Sequence, residues 1–193
     1  MRRIGIFGGT FDPPHIAHLR IAEEAREQMQ LDAVFFVPNK QPVHREPAVA
    51  DAEDRYAMLI LATASNPAFR VSRNELDRPT PSYSVETVRE FRKRYPNSEL
   101  FFIVGADEVA DLGSWKDIDA LMSMCRFIAA PRGNTVGDSL PPGVIALEMA
   151  PLPMSATEIR RRVAEGRSVR YQVPDAVLQY IQNRGLYKGS ENS

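Results

Sequence analysis

The chain has 193 residues, enough to bury a core without disulfide or metal staples. Hydrophobic residues make up 44% and charged residues 25%, a globular balance, and the net charge of −1 offers no overall field to nucleic acid or an anionic membrane. The single cysteine, Cys125, rules out an internal disulfide and a cysteine-rich metal site.

The opening "MRRIGIFGGTF" carries two arginines, but its apolar run is too short for a signal peptide and breaks at Gly8-Gly9. No run approaches the roughly 20 apolar residues that span a bilayer, so a cytoplasmic protein is expected. Strands are predicted at "RIGIFGG", "AVFFVPN", "AFRVSRNEL", "ELFFIVGAD", "RFIAAPR" and "GVIALEM". Helices are predicted between them at "HIAHLRIAEEAREQMQ", "EDRYAMLILATASN", "SVETVREFRKRYP" and the shorter "DIDALMSM". Near-continuous apolar strands alternating with amphipathic helices point to a mostly parallel sheet covered on both faces. Residues 134–143, "NTVGDSLPPG", read as a surface loop. Two more helices follow, "SATEIRRRVAEG" and "PDAVLQYIQNRG", each ending at a glycine suited to a left-handed cap. The expectation is one doubly wound α/β domain over 1–193, with a helical C-terminal portion at about 155–187.

In such a sheet, ligands bind beyond the carboxyl ends of the strands. Gly8 and Gly9 stand there after the first strand, where missing side chains admit a ligand and the following N–H groups, from Thr10 onward, can face an anion. Asp12 before Pro13-Pro14 suits a helix start, and a helix N-terminus favours negative charge. His15 and His18, three residues apart, share one face of the first turns. Two imidazoles beside an anion site suit donors to charge developing in phosphoryl transfer. They could also simply cap or line the helix. A Walker loop would need a lysine and a hydroxyl residue after its glycines, and the dinucleotide fingerprint does not match "GIFGGT". Outside the carboxylates, only His44 and Cys125 could join these histidines around zinc, so no metal site is assigned.

Near the C-terminus, "MSATEIRRR" opens a helix. Ser155 and Glu158 have capping-box spacing, while Ser155, Thr157 and Arg160 could form a second phosphate site. Arg161 and Arg162 are expected on a solvated face. A nucleic-acid module built on "IRRRVAEGRSVR" is disfavoured by the glutamates among its arginines.

"GGTFDPPHIAH" resembles the signature of the HxGH nucleotidylyltransferase superfamily, with Ala17 where that pattern has glycine. "MSATEIR" is similar to its ISSTxxR motif, with Met154 and Ala156 as departures. The resemblance implies a Rossmann-like fold and a triphosphate held between His18 and Ser155, Thr157 and Arg160. Within the superfamily, "FFVPNKQPVHR", "RPTPSYSVET", "FFIVGADEVADLGSWKDID" and "VPDAVLQYIQNRGLY" resemble bacterial nicotinate mononucleotide adenylyltransferases, so the likeness covers nearly the whole chain. It implies that His44 and Arg45 approach a phosphate and that Ser84 supplies the hydroxyl of a "PSYT" segment. Gly105 and Asp107 form a G-x-D turn whose carboxylate meets a ribose, or caps a helix. Trp115, which taken alone reads as a core residue, would stack on a pyridine ring, with N–H groups around Trp115 and Lys116 on its carboxylate. The implied substrates are ATP, carrying Mg2+, and nicotinate mononucleotide. A nicotinamide mononucleotide enzyme, another HxGH-type adenylyltransferase and a non-catalytic nucleotide-binding regulator are the alternatives.

Overall fold

Side chains along the central strands alternate between two buried layers, which sets the architecture. In the computed structural model, which describes residues 1–40, 47–79, 83–131 and 140–189, the strands are β1 (Arg2–Gly9), β2 (Ala33–Pro38), β3 (Phe69–Val71), β4 (Ser98–Gly105), β5 (Arg126–Ala130) and β6 (Val144–Ala146). All pair in parallel in the order β3-β2-β1-β4-β5-β6. Helices α1 (Ile16–Gln28), α2 (Ala52–Thr63), α3 (Ser84–Arg94), α4 (Ala106–Val109), α5 (Ile118–Met124), α6 (Ala156–Ala164) and α7 (Asp175–Arg184) connect and cover the sheet. On β4, Leu100, Phe102 and Val104 join Val85, Val88 and Phe91 of α3 and Leu121 of α5. Phe101 and Ile103 instead join Ala22 and Ala25 of α1 and Leu59 of α2. Burial on both faces explains why these strands read as unbroken apolar runs.

The doubly wound α/β reading therefore holds, with shorter edges than the sequence suggests. After β3, the Asn74 N–H donates to Ser72 Oγ at 3.2 Å, and Arg73 pairs with Glu53 and Asp77. Such local side-chain bonds compete with a ladder at a sheet edge. Beyond β6, Gln28 of α1 exchanges bonds with the Glu148 backbone and draws the chain off the sheet. The short α4 and a single 3₁₀ turn at Leu112–Ser114 escape sequence reading because they are too brief for periodicity. Residues 134–139 of the expected loop lie outside the described residues.

The C-terminal helices pack on α2, where Met58 and Ala62 meet Ile159, Val177 and Ile181. Gly166 and Gly185 have φ of +66° and +64°, the left-handed cap expected of them. Asp54 of α2 accepts bonds from Tyr180 (2.7 Å) and Arg184 (3.0 Å) of α7. No helix among the described residues is long and apolar enough to cross a membrane.

Candidate active site

The strand order reverses between β1 and β4, and the turn from β1 into α1 lies at that switch point. A Cβ on Gly9 would meet the Phe11 ring at 2.9 Å, so glycine is needed there for the turn's own packing. A Cβ on Gly8 would have its nearest neighbour, Phe102, at an ordinary 3.5 Å. Phe11 sits at φ +51°, an uncommon conformation for a side-chain-bearing residue, and is buried edge-on against Phe7. The turn is held from outside. Arg55 of α2, 1% exposed, donates to the Thr10 carbonyl (2.7 Å) and the Asn39 carbonyl (2.8 Å). Asn39 in turn donates to the Gly9 carbonyl and, through its side chain, to Thr10 Oγ1 at 3.1 Å. Burial pulls the Arg55 guanidinium below its ordinary pKa, an effect opposed by the nearby Asp12 carboxylate.

Asp12 corrects one expectation: it does not start the helix. α1 begins at Ile16 with His15 as its N-cap. The buried Asp12 carboxylate accepts bonds from the Val49 N–H (2.7 Å), the Ala50 N–H (3.2 Å) and the Tyr187 hydroxyl (2.6 Å). It ties the turn to the segment before α2 and to the residues after α7.

His15 and His18 do share a face. Their rings stack with centroids 3.6 Å apart and 18° between planes. The His15 N–H donates to His18 Nδ1 at 3.2 Å, which leaves Nε2 to carry the proton of a neutral His18 ring. Phe7 and Phe11 press edge-on against the same ring, at centroid distances of 6.1 and 5.0 Å. The imidazole is thus fixed in both tautomer and orientation, as a directed donor requires.

Ser155 caps α6, its Oγ accepting from the Glu158 N–H at 3.2 Å. The Glu158 carboxylate is bound by Arg161, which also reaches Glu165. Arg162 donates to the Ser168 carbonyl. Among the described residues, Arg160 alone of the three reaches across the chain, donating to the Asp12 carbonyl at 2.8 Å and, locally, to Thr157 Oγ1 at 3.4 Å. A cavity of about 300 Å³ lies between the two motifs. Gly8, Gly9, Thr10, His15 and His18 line one side, Ser155, Thr157 and Arg160 another, and Gly105 and Glu108 its β4 edge. The Gly105 N–H donates to Glu108 Oε2 at 3.2 Å, so this glycine is built into the start of α4.

Ser84, Trp115 and Lys116 do not line that cavity. Ser84 opens α3 behind Tyr83. The Lys116 ammonium lies 4.2 Å from the Tyr83 ring centroid and 3.8 Å from Glu86 Oε1. Trp115 is half-buried and edge-on to both Phe102 (6.1 Å, 88°) and Phe127 (6.2 Å, 68°). Part of its surface therefore belongs to the core, as its type alone suggests. Phe102 links Trp115 to the turn, since the tip of its ring would also lie 3.5 Å from a Cβ on Gly8. His44 and Arg45 lie outside the described residues, as does the side chain of Asp107, whose backbone sits in α4.

Sequence reading missed Arg55, Asn39 and Tyr187. Only Arg55 left a signal: an arginine three and four residues before Met58 and Leu59 falls on the buried face of its helix.

A sequence model of the cytidylyltransferase-like family matches residues 6–162. A Thermus thermophilus protein described as "Probable nicotinate-nucleotide adenylyltransferase" is 50% identical over 186 residues, covering 96% of this chain and 100% of that protein. A Saccharopolyspora erythraea protein with the same description is 45% identical, covering 100% of this chain and 92% of its own. Among solved structures, Plasmodium falciparum nicotinic acid mononucleotide adenylyltransferase, complexed with APC or with NaAD, shares the fold at a TM-score of 0.81 and 18% identity, covering 97% of this chain and 98% of that one. The chain belongs to the cytidylyltransferase-like family and, within it, to the nicotinate-nucleotide adenylyltransferases.

Proposed function

We infer that the chain transfers the adenylyl group of ATP to nicotinate mononucleotide, releasing pyrophosphate and forming the deamido dinucleotide. One observation carries the residue-level reading: the fixed His18 ring and Arg160 line the same cavity from motifs far apart in sequence.

A 5′-phosphate oxygen of the mononucleotide attacks the α-phosphorus in line, and the bond from that phosphorus to the bridging oxygen of pyrophosphate breaks. The nucleophile is already anionic near neutral pH, so no general base is needed. The protein aligns the reactants and stabilises developing charge. His18 Nε2–H would meet the α-phosphate, with His15 stacked behind it. Ser155, Thr157 and Arg160 would hold the β- and γ-phosphates. The Gly8-Gly9-Thr10 turn would let the polyphosphate approach the backbone, and Gly105 and Asp107 would receive the ribose. Magnesium would arrive on the polyphosphate and offset its charge. Among the described residues no three His, Cys, Asp or Glu side chains gather to hold a cation, and we assign it no protein ligand.

On the acceptor side, Trp115 would stack on the pyridine ring, with Ser84 and the N–H groups around Lys116 meeting its carboxylate. His44 and Arg45 would meet the mononucleotide phosphate. We propose that all these residues belong to one nucleotidyltransferase domain spanning 1–193.

A carboxylate only accepts hydrogen bonds, whereas an amide would turn its NH₂ against the same donors. Charge-assisted bonds contribute about 1.5–3 kcal/mol each, so two give ~3–6 kcal/mol, or roughly 10²–10⁴ in selectivity. Serine at position 84 lacks threonine's rotamer restriction, which favours the lower end. Pyrophosphate release from ATP, measured with each mononucleotide, should give a kcat/KM ratio near ~10² for the acid. Equal ratios would overturn the acceptor, and no release with either would overturn adenylyl transfer in favour of a binding protein.

A further inference from the structure

Arg160 binds the backbone carbonyl of Asp12 at 2.8 Å rather than its carboxylate, although Oδ2 of that carboxylate is only 3.9 Å from the same nitrogen. A buried carboxylate beside an arginine ordinarily forms the direct, bidentate pair. Here it is otherwise engaged. Its Oδ1 accepts from the Tyr187 hydroxyl at 2.6 Å and the Ala50 N–H at 3.2 Å, and its Oδ2 from the Val49 N–H at 2.7 Å. Tyr187 follows α7 at φ +62°, is 8% exposed, and packs its ring in the cluster with Ala50, Met58 and Val177. Burial, and then its bond to Asp12, raise the pKa of its hydroxyl, so it stays a donor. Arg160 and, less strongly, Arg55 oppose that rise, and the hydrogen bonds of Arg55 go to the Thr10, Asn39 and Lys40 carbonyls.

We propose that Tyr187 is a positioning residue for ATP: its hydroxyl on Oδ1, together with the Val49 N–H on Oδ2, holds the Asp12 carboxylate back from Arg160 and leaves that guanidinium's remaining donors to the polyphosphate. Without the hydroxyl, Oδ1 keeps only the longer Ala50 bond, and a pivot of about 1 Å about the Val49 N–H brings Oδ2 into direct bonding distance of Arg160. ATP would then have to displace a carboxylate before Arg160 could bind it. The inference rests on the assignment of Arg160 to the polyphosphate.

The experiment is a double-mutant cycle of Tyr187→Phe and Arg160→Ala, read as KM for ATP, kcat and the ATP-induced rise in Tm. Phenylalanine keeps the ring in its cluster, and circular dichroism confirms the fold. Tyr187→Phe should raise KM for ATP about tenfold and change kcat less than about twofold, an uneven split characteristic of lost ground-state binding. In the Arg160→Ala background it should change KM less than about twofold. An equal rise in both backgrounds, or none in the native one, overturns the positioning role. If Arg160→Ala alone leaves KM for ATP unchanged, the failure lies instead with the assignment of Arg160.

Discussion

Around the β1–α1 turn, the polar contacts are buried or partly buried and join residues far apart in the chain: Arg55 with Thr10, Tyr187 with Asp12, and Arg160 with Asp12. At the neighbouring Tyr83–Lys116 edge they are exposed. Lys116 and Glu86 keep 48% and 34% of their side-chain surface, and Arg89 and Asp117 keep 46% and 49%. The first region is fixed before any ligand arrives, as charge stabilisation in a transition state requires. The second consists of weak pairs that a ligand can rearrange at little cost. On the proposed assignment, chemistry falls to the rigid end and acceptor choice to the adaptable one.

The hardest test of that contrast removes the buried cation. Arg55→Met leaves the Thr10 and Asn39 carbonyls without their donor, at about 1–3 kcal/mol each, so stability should fall by roughly 2–6 kcal/mol in denaturant unfolding. A loss below ~1 kcal/mol would show that the turn does not depend on α2. His18→Ala acts on chemistry instead. It should lower kcat by roughly 10²–10³ with the fold intact, the usual consequence of deleting one preorganised donor. Stoichiometric zinc in the native enzyme, lost in this variant, would mean that His18 holds a metal.

Arg160→Lys replaces a fork with a point charge and should lower kcat/KM for ATP about tenfold. Arg162→Lys, whose native partner is the Ser168 carbonyl, should be near neutral. Equal losses would show that the wrong arginine has been assigned. The smallest effect is expected at the exposed edge. Lys116→Ala should change stability by less than ~1 kcal/mol, raise KM for the mononucleotide a few-fold, and leave KM for ATP unchanged. A large drop in Tm would place Lys116 with the rigid region and erase the contrast.

Much of this was legible in the chain. The apolar runs gave the central strands, because burial on both sheet faces leaves no polar alternation to obscure them. Gly166 and Gly185 marked the ends of α6 and α7 through a conformation that favours glycine. The two motifs proposed to bind anions stood out because a helix N-terminus imposes local spacing on its polar residues. Asp12 was misread for the same reason: locally it looks like a cap, and its real partners, Val49, Ala50 and Tyr187, are remote.

The sequence by itself therefore determined what depends on neighbours along the chain: the alternation of strand and helix, the turn glycines, the pairing of His15 with His18, and the cap on α6. Tertiary structure alone decided that Arg160 reaches the Asp12 carbonyl, that α2 supports the turn through Arg55, and that Tyr187 closes on Asp12. A hydrogen bond between distant segments leaves no periodic trace, because its partners meet only after the helices have packed.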